Sequence, residues 1–210
     1  MINILIADDH PIVRRGIKQV LSEASDISVE EEAGSCGEVL RKLKEKRFDV
    51  VLLDIAMPGG GGIEVLKQMR ISGIRPPVLI LSIFPEELYA MRALEAGASG
   101  YLMKSCEADI LIKAIRKVAA GGKYISDAVR EKLLVRIGDV PSNYPHELLS
   151  NREYEVMREI ALGKSMAEIA REMALSVKTV STYRARILQK MHLSTTAELT
   201  HYAMVNRLVN

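Results

Sequence analysis

MINILIADDHP, residues 1–11, is a short, largely apolar run, Ile2 to Ala7, that ends in two adjacent carboxylates, Asp8 and Asp9. A β-rich run of this length reads as a buried strand. Delivering two like charges side by side at its end requires a counter-charge, and a metal ion is the first candidate. The same alternation continues outward along the chain. INILIA leads into a helical pattern over Pro11 to Leu21, ISVEEEA into Gly37 to Arg47, and DVVLLD into Ile63 to Ile71; VLILS leads into Glu86 to Ala96, and GYLM into Ala108 to Ala120. Five strand–helix pairs in strict alternation predict an α/β fold, a doubly wound five-stranded parallel sheet covered by helices on both faces. In such sheets ligands gather at the carboxyl ends of the strands, where Asp8 and Asp9 point.

Local signals mark the boundaries. Pro11 suits a first helical turn, Ser35 with Glu38 reads as a capping box, and Gly121-Gly122 is a stop. The first domain therefore runs over 1–122. Residues 123–146 read as a linker with a short helix over Asp127 to Ile137 followed by GDVPSNYPHE, and 147–210 form a second, small all-α domain.

Composition narrows the class. The 210 residues hold 29 basic and 27 acidic side chains, which argues against a wholly basic nucleic-acid coat, so the distribution has to decide. No acidic residue occurs from Met173 to Ala197, a stretch that holds Lys178, Arg184, Arg186 and Lys190. Cys36 and Cys106 fit neither a disulfide framework nor a metal knuckle, which makes the cytoplasm the expected compartment. No leader or spanning segment is evident: the longest apolar runs, such as Val78 to Phe84, are far below the ~20 residues that cross a bilayer.

The third strand brings Asp54 to the same edge as Asp8 and Asp9. Crowded hard oxygen ligands suit Mg²⁺, which keeps waters that a phosphate can replace. Ser82 at the end of the fourth strand can donate to a phosphoryl oxygen, and Lys104 after the fifth can pair with an acid or a phosphate. Taken singly, the Asp pair reads as loop solvation or a helix N-cap, Lys104 as a solvated surface charge, Ser82 as a strand-end cap and Tyr101 as packing. The joint arrival of all six at strand ends, in this order, carries the reading.

These residues resemble the receiver domain of two-component response regulators, a flavodoxin-like fold, over Met1 to about Gly122. The matching positions are Asp8-Asp9, Asp54 within DIAMPGGGG, Ser82 closing VLILS and Lys104 closing AGASGYLMK. The resemblance implies that Asp54 takes a phosphoryl group from a histidine kinase, with Mg²⁺ held by Asp9, Asp54 and the carbonyl of Ala56, and Asp8 assisting through water. It also implies a switch in which Ser82 moves toward the phosphoryl group and Tyr101 turns inward behind it. A Mg²⁺-dependent phosphohydrolase is the rival on such a sheet. No substrate-binding cap is evident, and a regulator that is not a turnover enzyme is the expectation.

The second domain carries a helix-turn-helix pattern. Ser165 with Glu168 reads as a capping box, Met173-Ala174-Leu175 as a tight connection, and Ser176 as the cap of the next helix. In that helix Val180, Tyr183, Ile187 and Met191 form the apolar stripe. From about Leu148 to Val209 the chain resembles the LuxR-type (NarL/FixJ-like) DNA-binding domain, through SNREYEVM, the Gly163 turn, Glu168 to Ala170 and SVKTVSTYRARILQKM. It departs at Ser181 and Tyr183, where the family more often has Lys and His. Lys178, Arg184, Arg186 and Lys190 are expected to neutralise phosphates. Ser181, Thr182 and Ala185, with Thr179 beside them, are expected to face the bases. The bland alternative is a solvated basic face in a helical dimerisation module. The resemblance implies that the last helix, Thr196 to Asn206, pairs two domains on DNA. The partners implied are DNA, a sensor histidine kinase, a second copy of the chain on phosphorylation, and RNA polymerase, with no membrane.

Overall fold

A computed structural model describes residues 1–127, 129–131, 144–206 and 208–209. Contacts divide the chain into two compact units, Met1–Gly138 and Asp139–Asn210. The first contains β1 (Ile2–Ala7), α1 (Pro11–Leu21), β2 (Ile27–Ala33), α2 (Cys36–Glu45), β3 (Val50–Asp54), α3 (Gly62–Ile71), β4 (Val78–Ser82), α4 (Glu86–Glu95), β5 (Gly100–Met103) and α5 (Ala108–Ala119). All pairings are parallel and the order is β2-β1-β3-β4-β5. The expected doubly wound sheet is therefore present. The α1 boundaries coincide with the sequence reading, and those of α2 to α5 differ from it by at most two residues.

β3 and β4 are buried at every position because helices cover both faces. One layer of the core packs Ile4, Ile6, Leu52, Leu79 and Leu81 of the sheet against Leu111, Ala114, Ile115 and Val118 of α5 and Leu21 of α1. Each large side chain buried there contributes about 1.5–3 kcal/mol. β2 lies at an edge and is charged instead. Glu30 pairs with Lys46, Glu31 with Lys42, and Glu32 with Lys18 and Arg14, which discourages edge-to-edge pairing.

Pro11 opens α1, as expected. The capping box at α2 is only half made: Ser35 Oγ accepts the Glu38 N–H, but the Glu38 carboxylate accepts from Gly34 N at 2.7 Å and not from Ser35. The turn at Gly34 offers its own amide to the glutamate, which diverts it one residue upstream. α5 ends before Gly121, whose φ of +83° suits glycine. The chain then returns to β5, where Tyr124 bridges Gly100 and accepts from the Tyr101 N–H. Of the helix expected over 127–137, residues 127 and 129–131 are helical. The rest, and most of the expected linker, lies outside the described residues.

The second unit has a 3₁₀ turn, Pro145–Leu148, then α6 (Asn151–Ala161), α7 (Met166–Glu172), α8 (Val177–Lys190) and α9 (Thr196–Val205). Complete capping boxes, Ser150/Glu153, Ser165/Glu168 and Thr195/Glu198, start α6, α7 and α9. Ser176 Oγ accepts the Thr179 N–H and starts α8. Ala174, at φ +52°, makes the tight connection between α7 and α8. Val156, Met157, Ile169, Val180, Ile187 and Leu199 are buried together in this unit.

One expected core residue is displaced. Val180, Ile187 and Met191 are buried, but Tyr183 is only half-buried. At about 100° per residue, Tyr183 lies roughly 60° off the line through Val180 and at the margin of the stripe. Its ring edge can remain in water there.

Candidate metal centre and nucleic-acid interface

Sheet register builds the first site. Ala7 pairs with Leu53, so Asp8 and Asp54 leave neighbouring strands at the same level, where the strand order reverses. Asp54 pairs with Leu81, and Ser82 with Met103, which brings Ser82 and Lys104 to the same edge. Asp8 and Asp54 are each 2 % exposed. Between them lies the Lys104 ammonium, 2.7 Å from Asp8 Oδ2 and 2.9 Å from Asp54 Oδ2. The Lys104 backbone N–H donates to Ser82 O, which anchors the lysine to β4.

The electrostatics follow from burial. Desolvation pushes the Asp54 carboxyl above its ordinary pKa, and the nearby Asp8 adds to this; Lys104 and the Ala56 backbone oppose it without cancelling it. Burial alone pulls Lys104 down, but hydrogen bonds and attraction from the two carboxylates outweigh it and its pKa rises. The ammonium therefore keeps its proton as the counter-charge of the pocket.

Asp9 sits higher in the crevice and is partly exposed. One ligand atom from each of Asp8, Asp9, His10 and Asp54 falls within a cluster no wider than 4.8 Å. Asp9 Oδ1 and Asp54 Oδ2 are buried oxygens that meet the His10 ring and the Lys104 ammonium, but no donor in hydrogen-bonding alignment. Hard donors with spare lone pairs fit a divalent cation such as Mg²⁺. Sequence reasoning misses His10 as a site residue; its place directly after the acidic pair is the signal available.

The loop after Asp54 needs its glycines. Gly59, Gly60 and Gly61 have φ of +96°, +120° and +86°. At Gly62 a Cβ would lie 2.0 Å from the carbonyl oxygen of Asp54. A side chain has no room there, and the turn lies close against the end of β3.

Ser82 and Tyr101 meet at Phe84. Ser82 Oγ accepts the Phe84 N–H at 3.1 Å, and the Tyr101 hydroxyl donates to Phe84 O at 2.9 Å. Tyr101 is 1 % exposed, so its ring is already directed inward. The Phe84 ring stacks on Tyr89 with centroids 4.8 Å apart.

In the second unit, α8 carries an exposed face with Lys178, Ser181, Thr182, Ala185, Arg186 and Gln189. Thr182 Oγ1 donates to Lys178 O, and Thr179 Oγ1 lies 2.7 Å from Ser176 Oγ at the helix start. The four expected phosphate-neutralising cations are not alike. Arg184 is half-buried and its Nε donates to Thr196 Oγ1 at 2.8 Å, while Lys190 Nζ is 2.7 Å from Glu153 Oε2. Lys178 and Arg186 make no ion pair or side-chain hydrogen bond among the described residues. Both point cations into solvent from a helix with no acidic residue, an arrangement able to follow a phosphate backbone.

Comparison with known proteins identifies both units. Residues 4–116 match the response regulator receiver domain, and residues 147–203 match the bacterial regulatory proteins of the luxR family. Response regulator UvrY of Escherichia coli K12 is 37 % identical over 212 residues, covering 100 % of this chain and 97 % of that protein. Response regulator GacA of Pseudomonas syringae pv. syringae B728a is 36 % identical, covering 100 % and 99 %. Among solved structures, the response regulator ChrA of a heme-sensing two-component system aligns with a TM-score of 0.53 at 31 % identity, over 99 % of this chain and 98 % of that one. A structure of two RcsB dimers bound to two parallel DNAs aligns with a TM-score of 0.59 at 26 % identity, over 97 % and 98 %.

Proposed function

The chain belongs to the response regulators that join a receiver domain to a LuxR-type DNA-binding domain, the NarL/FixJ subfamily, and on that premise we propose that phosphorylation of Asp54 controls its binding to DNA. In this reading residues 1–122 receive the signal, 123–146 link, and 147–210 deliver it. The observation that carries the reading is Asp54 itself, a buried carboxylate on the strand-end edge, flanked by Asp8 and held 2.9 Å from Lys104.

Asp54 acts as nucleophile toward a phosphohistidine of a sensor kinase and becomes an acyl phosphate. Asp8, Asp9, Asp54 and the carbonyl of Ala56 would hold Mg²⁺. When bound, Mg²⁺ offsets the negative charge that gathers between the acceptor and the donor phosphate. Lys104 turns from its two carboxylates to the new phosphoryl oxygens. Ser82 exchanges the Phe84 N–H for a phosphoryl oxygen, and because Tyr101 is tied to the same Phe84 the change reaches the α4–β5 surface. The added charge, roughly −1.5 to −2, biases that surface between two arrangements.

The response is dimerisation and sequence-specific DNA binding by α8, with Lys178 and Arg186 on phosphates and Ser181, Thr182 and Ala185 toward the bases. Arg184 and Lys190, expected on phosphates from the sequence, instead brace the domain through Thr196 and Glu153. RNA polymerase is the downstream partner of such a regulator. No described helix is long and apolar enough to cross a membrane, and the cytoplasm is the proposed compartment.

The test is intact mass after incubation with Mg²⁺ and a small acyl-phosphate donor, beside Asp54→Asn, with size and DNA affinity measured on each sample. One added phosphoryl group that is absent from the variant and accompanied by tighter dimer or DNA binding supports the reading. Sustained phosphate release that depends on Asp54 would identify a phosphohydrolase instead.

A further inference from the structure

The carboxylates of the crevice come from the ends of β1 and β3, yet the last two residues of β2 hold the point where the acidic pair begins. Ala33 O accepts the Asp8 N–H at 3.0 Å. The carbonyl of the same aspartate is held from another element: Asp8 O accepts from Arg14 Nη1 at 2.6 Å. Arg14 is in turn oriented by Glu32, whose Oε2 accepts from Arg14 Nε at 2.9 Å while its Oε1 accepts from Lys18 Nζ at 2.7 Å. β2 therefore reaches Asp8 twice, through the backbone of Ala33 and through a guanidinium carried on α1.

The carbonyl concerned belongs to the peptide that joins Asp8 to Asp9. That unit is planar, so fixing its oxygen fixes the direction in which the chain carries Asp9 away from Asp8. A guanidinium on a carbonyl makes a charge-assisted hydrogen bond, stronger than a neutral one. The Arg14 side chain is only 17 % exposed, so water screens that bond little. Its rigid fork serves two acceptors on different elements, a geometry that the point charge of a lysine does not copy. Protection of the sheet edge accounts for Glu32 with Lys18, but it requires no bond to Asp8 O.

We infer that Arg14, oriented by Glu32, is a positioning residue of the phosphoryl-transfer site, presetting the Asp8–Asp9 peptide so that both carboxylates face the cation before it binds. The inference rests on the reading of Asp54 as acceptor and of the acidic pair as Mg²⁺ ligands. Arg14 acts on a backbone carbonyl and is not itself a ligand. Its charge and its bracing therefore predict opposite signs. As a cation near the crevice it repels Mg²⁺, and its removal would tighten binding. As a brace it lowers the cost of ordering the ligands, and its removal loosens binding.

The full chain, Arg14→Ala, Arg14→Lys, Glu32→Gln and the variant combining Arg14→Ala with Glu32→Gln are titrated calorimetrically with Mg²⁺. Each is also phosphorylated by acetyl phosphate over a Mg²⁺ series, followed by intact mass, and unfolded thermally in chelator. Arg14→Ala is expected to bind Mg²⁺ about tenfold more weakly and to need correspondingly more Mg²⁺ for half-maximal phosphorylation, with the rate at saturating Mg²⁺ near that of the wild type. Arg14→Lys keeps the charge and is still expected to fall short of wild-type affinity. Glu32→Gln is expected to lose less, and the combined variant to match Arg14→Ala, because Glu32 acts through Arg14.

Tighter or unchanged Mg²⁺ binding in Arg14→Ala overturns the inference, as does full wild-type affinity in Arg14→Lys. A lower melting temperature without any change in Mg²⁺ affinity would make Arg14 a purely structural tie and overturns it too. If Arg14→Ala does not fold, Arg14→Lys decides by the same readings. A wild-type chain that binds no Mg²⁺ and gains no phosphoryl group defeats the reading of the site itself, and this inference with it, an outcome visible without any variant.

Discussion

Lys190 Nζ lies 2.7 Å from Glu153 Oε2, which joins the last residue of α8 to the carboxylate that closes the first turn of α6. The same oxygen accepts the Ser150 N–H at 2.7 Å. One glutamate thus caps α6 and ties it to the end of α8. Replacing Lys190 by Ala is expected to lower the stability of the second unit by about 1 kcal/mol, the modest value reflecting the lysine's partial exposure. The check is thermal unfolding followed beside DNA titrations in salt. A fall in melting temperature with little change in the salt slope is the expected pair of results.

Glu153 also gives a pH dependence. Burial raises its carboxyl pKa, but Lys190 and the Ser150 donors outweigh burial and hold it below its ordinary 4.5. The folded value is therefore lower than the unfolded one. The stabilisation is complete above about pH 4.5 and is lost as pH falls through the folded value. Glu153→Gln removes this proton-linked contribution. Its stability, measured by urea unfolding from pH 6 to about 3, should fall less steeply over the acid limb than that of the wild type. Superimposable limbs would sink the assignment.

Lys104 is the only described cation between Asp8 and Asp54. Lys104→Met leaves two buried carboxylates facing each other, and in chelator the first unit should lose about 3–5 kcal/mol. A divalent cation can then take over the role of counter-charge. At a hundredfold excess over its dissociation constant it restores about 2.7 kcal/mol. The melting temperature of the variant should rise more on adding Mg²⁺ than that of the wild type. An equal or smaller rise would place the metal elsewhere.

Strand-end chemistry is legible in the sequence because a parallel sheet turns alternation into geometry: once β1 and β3 are neighbours, Asp8 and Asp54 must leave at one edge. The capping residues Ser165, Glu168 and Ser176 are legible for the same local reason. Side-chain partnerships across elements are not. No spacing joins Lys190 to Glu153 or Arg184 to Thr196, because these pairings depend on the packing of three helices. Periodicity sets Tyr183 too deep because its three-residue step from Val180 hides the angular offset. His10 escapes notice because a residue beside two carboxylates reads as a helix entry until the ring direction is known.

Gly62→Ala should be among the more damaging single changes in the first unit. Its Cβ would stand 2.0 Å from Asp54 O and 3.2 Å from Ile55 Cα, both of them backbone atoms that cannot rotate away. The loop has to shift, costing about 1–3 kcal/mol as overpacking does. Because the shift acts on Asp54, the proposed acceptor, phosphorylation by a small donor should slow even where the variant remains folded. Normal phosphorylation in a folded Gly62→Ala protein would show that the loop does not position Asp54.

Lys178 and Arg186 provide the sharpest separation between phosphate binding and structural bracing. Each neutralised phosphate releases counterions and contributes about 0.9 to the slope of log affinity against log salt. Lys178→Ala and Arg186→Ala should each lower that slope by nearly this amount and weaken specific and random DNA alike. Arg184→Ala should instead reduce thermal stability, because its Nε–H to Thr196 Oγ1 ties α8 to the first turn of α9. Changes at Ser181, Thr182 or Ala185 should leave the slope intact and alter the preferred sequence, at about 1–3 kcal/mol for each base that is no longer read. The measurement is fluorescence anisotropy on one specific and one random duplex at four salt concentrations. If Lys178→Ala and Arg186→Ala retain the wild-type slope, α8 does not lie along the phosphates, and the exposed basic face serves to bind protein instead.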